Sequence, residues 1–110
     1  MSLQRSPFEL VHELGPANGG HTDSINDILI VDEHFDGESL RCTAVTASTD
    51  GHLIVWDAVA GRPLHRCVHG RAVTAMARVD GEILLSAGRD GQVREWRWRS
   101  GACLRELLLS

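Results

Sequence analysis

The chain has 110 residues, 43% of them hydrophobic and 24% charged, which suits one globular domain and excludes two of full size. Its eleven basic residues are all Arg and are outnumbered by fifteen acids, so the formal charge of -4 offers no global attraction to nucleic-acid phosphates. The apolar runs are too short to span a bilayer and the N-terminus has no signal-peptide core, so neither a membrane nor a secretory role is expected.

From the N-terminus, Phe8 to Leu14 reads as a strand, and Gly15 to Gly20, with Pro16 and Asn18, as a turn-rich connector. Branched residues punctuated by Gly, Asp or Pro then predict strands at Ser24 to Val31, Arg41 to Ser48, His52 to Asp57 and Pro63 to Val68. The same pattern predicts further strands at Ala72 to Val79, Glu82 to Ala87, Gln92 to Trp96 and Ala102 to Leu109. Asp50-Gly51, Asp80-Gly81 and Asp90-Gly91 each separate two strand-like runs and predict hairpin turns. No helical period interrupts them, so the fold class is all-β.

The chain also repeats itself. At a shift of forty residues, Thr46, Ala47, Ser48, Thr49, Asp50 and Gly51 fall on Ser86, Ala87, Gly88, Arg89, Asp90 and Gly91. Trp56 falls on Trp96, Gly61 on Gly101 and Leu64 on Leu104 at the same shift. Upstream the shift becomes forty-eight, with His21 on His69 and Ile25 on Val73, so the first unit carries eight extra residues. These are assigned to the polar stretch Asp32 to Ser39, expected as a surface loop. The units are drawn at 21–68 and 69–109, and the leading run Phe8 to Leu14 reads as the last strand of a preceding unit.

Four short strands per unit, a period near forty, Gly20-His21 at the start and Trp56-Asp57 at the end of the first unit resemble the WD-repeat β-propeller family. The second unit departs from that pattern: Gly70 follows His69, and Arg97 follows Trp96. The resemblance runs from about Phe8 to Leu109. It implies a partial β-propeller of two four-stranded antiparallel blades with an extra N-terminal strand. It further implies a hydrogen-bonded structural tetrad in each blade, His21, Thr46, Asp50 and Trp56 in the first and His69, Ser86, Asp90 and Trp96 in the second. In each, the carboxylate orients the imidazole and the hydroxyl joins the imidazole to the indole N–H. Trp56 and Trp96 are expected to pack between adjacent blades.

A set of His, Asp and Ser or Thr that appears twice at equivalent positions suits structural pinning better than a single active site. No nucleophile elbow or His-Glu-x-x-His pair accompanies it, so no enzyme activity, cofactor or metal site is expected. Cys42, Cys67 and Cys103 are expected as buried free thiols in a reducing cytoplasm. His12, His34, His52 and His65 are expected to be solvated or at edges. The basic-aromatic cluster from Arg94 to Arg99, with Trp96 and Trp98, reads as a solvated blade edge with stacked Arg; the competing reading is a holder for a phosphate or an acidic peptide. Glu95 stands where the first unit has Val55, and if buried it is expected to pair with Arg97 or Arg78.

Propellers close with four to eight blades, so the ring needs either more blades in a longer chain or self-association. The expected function is a non-catalytic protein–protein interaction scaffold with a protein or peptide partner, and with neither nucleic acid nor membrane. By resemblance, partner contacts fall on Thr22, Asp23 and Arg71 in the loops that open each unit, and on Thr49 and Arg89 before the turn aspartates. The alternative is a regulatory or sensor segment of a larger signalling protein, a kinase or nucleotide-binding switch, whose catalytic part lies elsewhere.

Overall fold

In the computed structural model, which describes residues 20–35, 37 and 39–108, the chain forms two antiparallel sheets. The strand expected at Phe8 to Leu14 lies outside the described residues. The first sheet runs in the order β1 (Ile25–Phe35), β2 (Leu40–Ser48), β3 (His52–Asp57) and β4 (Arg62–Val68). The second runs in the order β5 (Val73–Arg78), β6 (Ile83–Gly88), β7 (Gln92–Arg97) and β8 (Ala102–Leu108). No helix occurs among the described residues.

The tight turns follow from their Asp-Gly pairs. Gly51 N–H donates to the Ser48 carbonyl at 3.1 Å, and Gly91 N–H to the Gly88 carbonyl at 3.2 Å. Each turn ends on a glycine with positive φ, 88° at Gly51 and 81° at Gly91, a conformation that side-chain-bearing residues rarely adopt. The aspartate before each glycine accepts an N–H two residues on, from His52 at 2.9 Å and from Gln92 at 3.1 Å.

The first four of the eight extra residues, Asp32 to Phe35, lie in a strand and not in the expected loop. β1 continues through Asp32, Glu33, His34 and Phe35, which pair with Thr43, Cys42, Arg41 and Leu40. The ladder satisfies the backbone donors and acceptors of this polar stretch, so it extends as a ribbon beyond the rest of the sheet. A register shift between Ile30 and Asp32 marks where the extension begins.

Cross-strand pairing fixes which side chains share a face. Val45 stands opposite Val55 and Ala47 opposite Leu53, and this face, joined by Val31 and Cys67, packs on Val73, Met76, Leu84, Trp96 and Trp98. Each large apolar side chain buried in this seam contributes about 1.5–3 kcal/mol. Trp96 therefore lies between the two sheets. Trp56 lies on the opposite face of the first sheet, where Ala44, Ile54 and Trp56 are each 0% exposed.

Three expectations about the second unit are corrected. Cys103, expected to be buried, is exposed on β8. Trp98 is not at a solvated edge: it is 3% exposed, belongs to the seam, and donates its indole N–H to the Gly81 carbonyl at 3.1 Å. Arg97 and Arg99 on either side of it are exposed, and Arg99 stacks 4.5 Å from the ring centroid. Glu95 pairs with neither Arg97 nor Arg78 but with Arg105, at 2.6 Å, because Arg105 stands directly opposite it across β7 and β8.

Candidate functional site

The most organised polar groups run from the loop before each sheet into its interior. In the first sheet the Trp56 indole N–H donates to Thr46 Oγ1 at 2.8 Å, and that hydroxyl stands 2.5 Å from His21 Nε2. His21 Nδ1 lies 3.0 Å from Asp50 Oδ2. One proton order satisfies every member: indole N–H to hydroxyl oxygen, hydroxyl O–H to Nε2, and Nδ1–H to the carboxylate. Asp50 also accepts the backbone N–H of Thr22 at 2.9 Å. Burial lowers the His21 pKa below 6.5 against the pull of Asp50. For Asp50, burial acts upward, but the N–H bonds from Thr22 and His52 and the neighbouring imidazole outweigh it, and its pKa falls below 3.8.

The second sheet assembles the same residue types differently. The Trp96 indole donates to Ser86 Oγ at 2.8 Å, and Ser86 Oγ meets His69 through Nδ1, at 2.9 Å. The ring is thus turned over relative to His21. Its Nε2 stands 3.8 Å from Asp90 Oδ1, beyond hydrogen-bond reach, and is left buried without a partner. His69 is 0% exposed, and its pKa is lowered first by burial and next by the Arg94 charge.

The residue that permits this turn is Gly88, which aligns with Ser48. A Cβ at Gly88 would stand 2.5 Å from His69 Nε2 and 2.9 Å from Asp90 Oδ1. At the first site Ser48 occupies that position, its hydroxyl accepting the Asp50 N–H at 3.0 Å and donating to the Asp23 carbonyl at 3.3 Å. Ser48 locks the turn aspartate, whereas Gly88 releases it.

The seam between the sheets is held by residues that sequence reasoning left unremarked. Asp27 Oδ2 accepts the Met76 N–H at 2.9 Å, and Asn26 donates from Nδ2 to the Val73 carbonyl at 2.8 Å. Their signal was a polar pair inside the branched run Ser24 to Val31, and it coincides with a register shift in β1. His65, expected at an edge, bonds through Nε2 to the Arg99 carbonyl at 2.8 Å. The Gly51 carbonyl accepts N–H from His69 at 2.8 Å and Gly70 at 3.2 Å, tying the first tight turn to the start of the second sheet.

The remaining residues singled out from the sequence lie at the end of the sheets where these loops and turns meet. Thr22, Asp23, Arg71 and Arg89 are exposed, while Thr49 is half-buried and accepts from Asn26 Nδ2 at 2.9 Å. Asp23 caps the next residue, accepting the Ser24 N–H at 2.7 Å. Arg89 N–H donates to the Ala72 carbonyl at 3.1 Å, which brings Arg71 and Arg89 to one side of the second sheet. No group of three or more His, Cys, Asp or Glu side chains among the described residues could hold a metal ion.

The family model described as "WD domain, G-beta repeat" matches residues 9–57 and 61–97. The matched stretches are out of phase with the sheets, the second beginning just before β4 and ending with β7. No curated protein matches the sequence. Among solved structures, the WD40 β-propeller domain of Doa1 superposes with a TM-score of 0.63 at 24% identity, over 79% of this chain and 27% of that one. The C-terminal WD40 domain of Sif2 superposes with a TM-score of 0.65 at 22% identity, over 83% of this chain and 24% of that one. The chain thus spans about a quarter of the length of these propellers. It belongs to the WD40 family and forms part of a β-propeller.

Proposed function

We propose that the chain is a non-catalytic scaffold that binds an acidic protein or peptide segment at the end of the sheets bearing Arg71 and Arg89. The observation that carries this reading is the contrast in how polar groups are used. The recurrent His, Asp, hydroxyl and indole groups are turned inward onto one another, whereas Arg71 and Arg89 are exposed side chains with no hydrogen bond or ion pair among the described residues. Two guanidinium groups on one surface offer five donors each and a steering field for carboxylates. On this reading both quartets are structural, setting the loops rather than performing chemistry. The free thiols of Cys42, Cys67 and Cys103 support a reducing, cytoplasmic setting.

The test is a double charge reversal, Arg71→Glu with Arg89→Glu, titrated with a library of short Asp- and Glu-rich peptides. Loss of binding at an unchanged Tm is the expected result. Undiminished affinity in the doubly reversed chain removes this surface from the interaction.

A further inference from the structure

The buried quartet of the second sheet and the exposed arginines of the proposed surface belong to the same two short segments. Asp90 directly follows Arg89, and only Gly70 separates His69 from Arg71. The Arg89 N–H, donating to the Ala72 carbonyl at 3.1 Å, joins the two segments. Each arginine is thus tied through the backbone to one member of the quartet.

The buried end of this pair of segments is unfinished. His69 is 0% exposed, and its Nε2 has no hydrogen-bond partner. Nδ1 of the neutral ring accepts from the Ser86 hydroxyl, whose oxygen takes the Trp96 indole N–H, so the ring proton sits on Nε2 and meets no acceptor. Asp90 Oδ1 stands 3.8 Å from it. Asp90 is itself loosely held: among the described residues it accepts only the Gln92 N–H, at 3.1 Å, and 25% of its side chain is exposed. In the first sheet the Thr22 N–H reaches Asp50, but its counterpart Gly70 donates instead to the Gly51 carbonyl at 3.2 Å. The Ser48 hydroxyl that accepts the Asp50 N–H has no equivalent at Gly88.

The Asp90 carboxylate therefore has two positions. Outward, it is partly in water and sets a negative charge next to Arg89 in the chain. Inward, a shift of about 1 Å lets it accept Nε2–H. The Gln92 bond survives that shift, because a carboxylate offers about four acceptor sites. Asp50 shows that both bonds fit, holding the His21 ring and the His52 N–H together. The Arg94 charge also acts on His69, so the inward carboxylate enters a positive field. We infer that His69 and Asp90 form a latch that closes when an acidic segment binds at Arg71 and Arg89, an inference that rests on the proposed reading of that surface. The segment's carboxylates repel Asp90 more strongly in the outward position than in the inward, hydrogen-bonded one. Such a difference between two states is what lets a ligand shift their equilibrium. By linkage, closing the latch tightens binding by the factor by which binding favours closure.

The experiment titrates the full, ¹⁵N-labelled chain with the tightest-binding of the short Asp- and Glu-rich peptides while imidazole ¹H–¹⁵N spectra follow both buried rings. At saturation the His69 Nε2–H should move downfield and exchange more slowly with water, while His21, already closed on Asp50, stays in place. Asp90→Ala removes the acceptor and should abolish that response. His69→Leu removes the donor and should weaken peptide binding by about fivefold. The spectra of the unmodified chain and of Asp90→Ala decide the question even where His69→Leu does not fold. An unmoved His69 in a chain that binds the peptide, an equal shift in Asp90→Ala, or full affinity in a folded His69→Leu chain overturns the latch and leaves the binding surface standing. Failure of the unmodified chain to bind any of the peptides overturns both.

Discussion

The two buried quartets start from the same residue types and reach different states. In the first, each donor has an acceptor, and besides His21 the Asp50 carboxylate accepts two backbone N–H groups, from Thr22 and His52. In the second, the chain of bonds stops at His69, whose Nε2 has no partner, and Asp90 is left with 25% of its side chain exposed against 5% for Asp50. A motif's residue list therefore does not determine its bonding. The two sites differ at the turn neighbour, Ser48 in one sheet and Gly88 in the other, and in the order Gly20-His21 against His69-Gly70.

The largest expected difference comes from removing the two turn aspartates. Asp50→Ala leaves a buried imidazole N–H unpaired and frees two backbone N–H groups, a loss of about 2–4 kcal/mol. Asp90→Ala removes only the contact to Gln92 and should cost about 0.5–1.5 kcal/mol. Urea denaturation with a shared slope measures both. Equal losses for the pair would show that Asp90 closes on His69 in solution.

Exchanging the turn neighbours probes the cause directly. Gly88→Ser places a Cβ where His69 Nε2 and Asp90 Oδ1 now stand, so either the imidazole turns over to the arrangement of His21 or the site is strained. Strain of this kind costs about 1–3 kcal/mol. Turning over gives His69 Nε2 to Ser86 and Nδ1 to Asp90, which offsets the strain and leaves the net change near or below about 1 kcal/mol. Long-range ¹H–¹⁵N spectra of the imidazole distinguish the two, since the nitrogen bonded to Ser86 changes identity. A destabilised chain with the ring unmoved would show that Gly88 accommodates this ring orientation without being what selects it.

Much of this architecture was legible in the sequence because repetition reports on it. The eight strands lie within a few residues of their expected places, and His21, Thr46, Asp50 and Trp56 stood out because their types recur at fixed offsets. The alignment of Ser48 with Gly88 was visible too, but its consequence was not. A missing Cβ matters only once the imidazole and carboxylate beside it have positions. Trp98 was misplaced because arginines flank it, and charge in the neighbours says little about which way an indole packs between sheets. The ribbon at Asp32 to Phe35 read as a loop because polar residues solvated on both faces lack the alternation that reveals a strand. Asn26 and Asp27 act across 47 and 49 residues of chain, on backbone groups that carry no sequence signature at all.

The smallest expected effect is a graded one with pH, and it separates the quartets by their neighbours. Burial holds both His21 and His69 below 6.5, so the unfolded chain takes up protons in the range just under 6.5 where the folded chain does not. Stability therefore falls as pH drops through that range, and thermal melts should show a lower Tm below pH 6.5 than above it. More acid acts in the same direction through Asp50, whose stabilisation is present above 3.8 and is lost as pH falls through its lowered pKa. The two histidines nonetheless differ in the charge that acts on each most strongly. His21 has Asp50 in contact, while His69 has the Arg94 charge acting on it more strongly than the distant Asp90. Arg94→Gln should raise the midpoint of the His69 titration and leave that of His21 in place, followed by the imidazole carbon shifts from pH 4.5 to pH 7.5. An unmoved His69 midpoint would mean that burial alone sets it, and that the charge placed on the second blade at Arg94 does not reach its buried ring.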